Sequence, residues 1–165
     1  LFRFPVFGLL ALGIAAVATG IARTAIDELV GIAGAKTPTG SKRLLGERAV
    51  IQMQVAQAEA ALQSSRAWLR ATVEEAWEAA RTIGAISVAQ RTALRLAATE
   101  ATIRATKAVD LMYDAGGGTA IYATSPLQRC FRDVHVATQH VMVAGTTYEL
   151  TGRLFLGLAT DVSQL

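Results

Sequence analysis

Ile51, Val55, Ala58, Leu62, Ser65, Leu69, Thr72 and Ala76 follow one another at alternating steps of four and three. On a helix of about 3.6 residues per turn this keeps all eight on one side, along the seam where long helices pack at a shallow angle. Ser65 and Thr72, its polar members, are small enough for close approach. Trp68 and Trp77 lie off the seam and are expected to meet a second surface. The helix is expected from about Ser41 or Gly46 to about Ile83. A seam this long must be covered by other helices.

The other segments supply them. After Pro5 an apolar stretch to Ala22 continues helically through Ile26, Leu29, Val30 and Ile32, until Gly34. Its length matches a membrane span of about 20 apolar residues, and Arg3 ahead of it would suit a signal peptide. Its Ala and Gly content, its lack of interfacial Trp or Tyr, and its continuation past Arg23, Asp27 and Glu28 favour a core helix instead. A helix apolar all round is expected to be buried on every side, which in so small a domain needs a partner subunit or another domain.

Ser87-Val88-Ala89-Gln90 is a capping box. It opens a third helix that runs to about Ala115, with Leu94, Ala98, Ala101, Ala105, Ala108 and Met112 as its buried row. Arg91, Arg95, Glu100, Arg104, Lys107 and Asp110 are assigned to a solvated face. Gly116-Gly117-Gly118 stops that helix. Ser125, as a side-chain cap, and Pro126, at the first helical position, start a fourth that should fade near Gly145. A short closing helix is expected from about Tyr148 to Leu158. With no convincing strand, the fold class is all-α: an antiparallel four-helix bundle with a short extra C-terminal helix.

The totals narrow the function. With 165 residues, 52% apolar and 18% charged, the chain is one well-filled domain. Its start, Leu1-Phe2-Arg3-Phe4-Pro5 with no initiator Met, reads like the tail of something upstream. Residues 1–165 are therefore expected to be one bundle cut from a longer chain. A net charge of +3 without a basic cluster argues against nucleic acid. Cys130, alone, permits no intrachain disulfide and points to a reducing, cytoplasmic setting.

Polar chemistry concentrates on the fourth helix. Leu127, Phe131, Val134, Thr138 and Val141 form a mostly apolar stripe, and Arg129, Asp133, Ala137 and His140 form another. Metal ligation is not expected, because His135 and His140 are five apart and no Glu-x-x-His pair exists. Arg129, Arg132 and Asp133 read as an ion-pair network holding this helix to its neighbours. His140 can donate and accept hydrogen bonds near working pH, or can simply be a core-edge histidine on a backbone carbonyl. The triple glycine offers N–H groups to a phosphate, or is a plain turn.

Gly117-Gly118, Pro126, Arg129 and Arg132-Asp133 resemble the "GG…P…R-x-x-R-D" segment of the C-terminal domain of the acyl-CoA dehydrogenase family. His140, eighth after Arg132, is similar to the mark of its flavin-dependent monooxygenase branch. The resemblance implies the C-terminal bundle of a three-domain flavoprotein, with flavin (FMN or FAD) between the bundle and a middle β domain. It also implies dimers or tetramers, a separate flavin reductase, a cytoplasmic location away from membranes, and a small aromatic or acyl substrate.

For the residues, the resemblance implies that Gly117, Gly118, Thr119 and Ala120 contact the cofactor of a neighbouring subunit. His140 would be the catalytic polar group at the reactive edge of the flavin. Dehydrogenases of the common type carry a Glu base nine positions after the Arg of R-D, and here that position is Val141, which cannot take a proton. The dehydrogenase Arg and Phe that grip the dinucleotide before the second helix find no clear match; Lys36, Lys42 and Arg43 are only nearby. Two alternatives stand beside the monooxygenase: a dehydrogenase-like oxidoreductase with its base elsewhere, and a helical oligomerisation module without chemistry.

Overall fold

The computed structural model describes residues 4–165, and among them there is no strand. Five helices follow in order: α1 (Val6–Ala35), α2 (Ala49–Thr82), α3 (Val88–Gly116), α4 (Pro126–Thr138) and α5 (Thr146–Phe155). Short 3-10 turns at Leu45–Glu47, Gly117–Thr119 and Val141–Val143 punctuate the connections. The expected all-α bundle with a short closing helix is what forms. α1 and α3 share their C-terminal ends, where Lys36 Nζ donates to the Gly116 carbonyl at 2.9 Å. α2 and α4 run the other way.

The α2 seam is realised, with Ile51, Ala58, Leu62, Ser65, Thr72 and Ala76 buried. The α3 row is realised too, and its capping box is present: Gln90 N donates to Ser87 Oγ at 3.2 Å while Ser87 N donates to Gln90 Oε1 at 3.0 Å. Trp68 and Trp77 are exposed on this chain.

The helix buried on most sides is α3, not α1. Of α1, one stripe is buried, through Ala11, Ala15, Ala18, Ala22, Ala25, Ile26, Leu29 and Ala33. Val6 (66% exposed), Leu10, Val17 and Val30 face outward. α3 packs along its length against both α1 and α2, and α4 closes over it. Its Ala and Thr side chains are short enough to admit three neighbours. Thr92, Thr102 and Thr106 donate to the carbonyl four residues back, so their hydroxyls enter the core already satisfied. Residue size puts α3 at the centre of this chain, and the outward side of α1 is left uncovered within it.

Candidate functional site

The N-terminal end of α4 is built around glycine. Gly117 caps α3 at φ +55°, ψ −141°, a backbone region open to glycine. At Gly116 an added Cβ would lie 2.8 Å from Leu127 Cδ1 and 3.2 Å from Ala120 Cβ, so the turn sits directly on the core. Ala120 is fully buried there. Gly117, Gly118 and Thr119 instead line an open cleft of about 630 Å³, shared with Lys36 and Arg48. Nothing lies within 4 Å of a Cβ at Gly118, so its side of the cleft is bare backbone.

Arg48 is the residue that sequence reasoning missed. It is the N-cap of α2, in extended conformation, and the 34-residue helix begins in the cleft. Two cations against one exposed carboxylate, Asp114, with glycine backbone and the positive end of a helix dipole, could receive an anionic group such as a phosphate. α2 begins at Ala49, whereas a helix start at Ser41 or Gly46, as the sequence suggests, would put Arg48 inside the helix. Its place just ahead of the Ile51 seam was the available signal.

Ser125 is the N-cap of α4, but its hydroxyl caps nothing. Its Oγ is buried without a partner, and entry into the helix rests on Pro126.

The C-terminal end differs from expectation. α4 stops at Thr138, not near Gly145. Thr138 Oγ1 donates to the His135 carbonyl, and Gln139 N and His140 N tighten to bonds three residues back, on Val136 and Ala137. The β-branched run Val134, Val136, Thr138, Val141 and Val143 gives the helix little reason to continue. His140 therefore leaves the helical face it would have shared with Arg129 and Asp133. It adopts an extended conformation (φ −72°, ψ 129°) and caps the Val141–Val143 turn, its Nδ1 accepting from Met142 N at 3.2 Å. Because Nδ1 accepts, the ring proton belongs on Nε2, where it is exposed and available as a donor. Thirteen helical residues at about 1.5 Å each separate the two ends by about 20 Å. The glycine cleft and His140 cannot touch the same small group.

The other polar groups of α4 are surface features. Arg132 pairs with Asp133 at 3.1 Å, with both side chains well exposed, and Arg129 is exposed. The expected network holding the helix is thus a local pair, of a kind worth about 0–1 kcal/mol. What joins α4 to α3 is a stack: Tyr113 on Phe131 at 4.4 Å, Phe131 on His135 at 4.5 Å, and His135 Nε2 at 2.9 Å from Asp110 Oδ1. Cys130 is buried, and burial pushes its thiol above the ordinary range. Among the described residues no three His, Cys, Asp or Glu side chains gather as metal ligands.

Arg95 departs furthest from its expected solvated face. It is 3% exposed on α3, its Nη1 donates to Met142 Sδ at 3.4 Å, and its Nε is buried without a partner.

Residues 12–144 match the model of the "Acyl-CoA dehydrogenase, C-terminal domain" family. The chain is 36% identical to an indole-3-acetate monooxygenase of Pseudomonas putida over 94% of its own length and 40% of that protein's. It is 32% identical to a pigment production hydroxylase of Rhodococcus erythropolis over 62% of this chain and 26% of the relative. Among solved structures it is similar to XiaF from Streptomyces sp., determined in complex with FADH2 and glycerol (TM-score 0.89, 23% identity, 96% of this chain and 41% of that one). The HsaA monooxygenase of M. tuberculosis is similar as well (TM-score 0.88, 21% identity, 99% and 42%). The chain thus spans about two fifths of the Pseudomonas relative, 40% by length.

Proposed function

Since the chain belongs to the acyl-CoA dehydrogenase C-terminal domain family, we propose that it is the helical C-terminal part of a flavin-dependent monooxygenase. The observation that carries this reading is the glycine cleft. Lys36, Arg48, the Gly117–Thr119 backbone and the start of α2 suit the phosphate of a flavin nucleotide. Bound flavin would supply the activation of O₂, after reduction by a separate reductase. His140 Nε2–H, about 20 Å away along α4, is a donor for a phenol or heteroatom of the substrate. That separation fits the two ends serving different cofactors in an oligomer, one from each subunit.

The outward Val6, Leu10 and Val17 of α1, with Met53 and Trp77 of α2, supply apolar surface for such a dimer or tetramer. A small aromatic substrate agrees with the names of the relatives, and a cytoplasmic location with the lone, buried Cys130. Val141, exposed on its turn and without an ionisable group, leaves the dehydrogenase base position empty of chemistry.

The test uses the longest natural chain carrying this domain, with reduced FMN or FAD, O₂ and aromatic substrates. Hydroxylated product formed in step with oxygen uptake supports the reading; flavin bleaching by an acyl-CoA instead would replace it with the dehydrogenase. His140→Ala should lower hydroxylation about five- to thirtyfold, the worth of about one or two kcal/mol in hydrogen bonding, while the oligomer stays intact. Unchanged turnover removes His140 from the site.

A further inference from the structure

A second cavity, of about 320 Å³, opens beside the His140 turn, between α3, that turn, α5 and the C-terminal tail. Its size is at the lower end of small-molecule pockets, about 300–1,000 Å³. Arg95, Val141, Thr147, Arg153 and Asp161 are among its lining residues. Two of these carry buried polar atoms with no hydrogen-bond partner among the described residues: Arg95 Nε and Thr147 Oγ1, on residues 3% and 2% exposed.

Arg95 Nε is a donor in want of an acceptor, and the Thr147 hydroxyl is free to donate as well as to accept. A guanidinium has five N–H groups and no lone pair to offer, and the one bond found for Arg95 is to a weak sulfur acceptor. Burial alone pulls its ionisation below the ordinary range, with no acid offsetting the loss of water. Glu149 and Asp161 also line the cavity, but both are exposed, and Arg153 stands with them. The two cations and two acids sum to zero, which disfavours a dianion more than a single added negative charge, and among the described residues neither acid bonds to Arg95. Retaining an unpaired buried cation costs stability, and its return has to come from something bound.

We propose that this cavity binds the carboxylate of a small aromatic acid, with Arg95 as the anchoring cation and Thr147 as a second donor. The choice of an aromatic acid rests on the oxygenase reading, because Val141 lines the cavity and His140 precedes it in the same turn. A carboxylate is planar and singly charged, and it accepts from a guanidinium through both oxygens.

Isothermal titration of the longest natural chain with phenylacetate, phenylacetamide and inorganic phosphate tests the site without flavin or oxygen. Phenylacetate should bind about tenfold or more tightly than its amide, and phosphate should give no heat. Arg95→Gln should weaken phenylacetate binding about tenfold or more and Thr147→Val about three- to tenfold, with Arg95→Lys between parent and Arg95→Gln. Because the cation is unpaired, Arg95→Gln should melt no lower than the parent.

Equal affinity for acid and amide, phosphate bound as well as the acid, no heat with phenylacetate, or parental affinity in Arg95→Gln each overturns the proposal. So does a lowered melting temperature with unchanged affinity, which makes Arg95 a packing residue. Should Arg95→Gln fail to fold, Thr147→Val and the acid-to-amide ratio of the parent decide. Arg95-dependent binding without coupled oxygenation keeps the site and removes the oxygenase reading. Oxygenation with no preference for the acid does the reverse.

Discussion

At its N-terminal end α4 is set by backbone: a glycine with positive φ, another against Leu127, and a third that leaves the cleft bare. At its C-terminal end it is set by side chains: His140 capping a turn, Arg95 on a methionine sulfur, Tyr148 on Glu100. The first end holds a shape fixed by backbone conformation. The second is held by side-chain hydrogen bonds, that of Tyr148 to Glu100 among them. The two ends draw on different properties of the chain.

Four substitutions test this contrast. Leu127→Ala removes a fully buried side chain under the glycine turn and should cost about 2–5 kcal/mol in denaturant unfolding. A loss under about 1 kcal/mol would show that the turn does not lean on the core. Gly117→Ala forces a side chain into φ +55°, ψ −141° and should cost about 1–3 kcal/mol. An unchanged midpoint would mean that the α3 cap relaxes to another conformation.

Tyr148 brings pH to the other end. Burial first, then the Glu100 carboxylate that accepts its hydroxyl, push the phenol up to about 12 from 10. The folded state therefore holds this proton more tightly than the unfolded chain does. The contribution is complete below pH 10 and is lost as pH rises from 10 toward 12. In Tyr148→Phe, stability should fall less over that window than in the parent. Parallel curves would place the phenol in solvent.

Gly118→Ala should be the mildest. An alanine there meets nothing within 4 Å, so unfolding should shift by no more than about 0.5 kcal/mol. The methyl would, however, stand in the cleft, and flavin affinity should drop. A loss of stability instead would make Gly118 part of the fold rather than of the cradle.

What could be read from residue order was local. The capping box at Ser87, the stop at Gly117 and the seam from Ile51 to Ala76 each depend on neighbours within a few positions. The motif from Gly117 to His140 is local in the same way. Arg48 escaped because one misplaced helix start turned a cap into an ordinary helical residue. His140 was placed on a continuous helix because Thr138 and Gln139 carry no glycine or proline to announce the break.

By itself the sequence determined that this chain makes helices, where most of them begin, and which glycines interrupt them, since those follow from backbone freedom and short-range hydrogen bonding. Only the tertiary structure decided that α3 lies at the centre with α1 toward the outside, and that Arg95 is enclosed. Burial is a property of what packs against a residue. The turn, helix and tail that close over Arg95 stand about 45 to 70 residues further along the chain, beyond the reach of any helical period of about 3.6 residues.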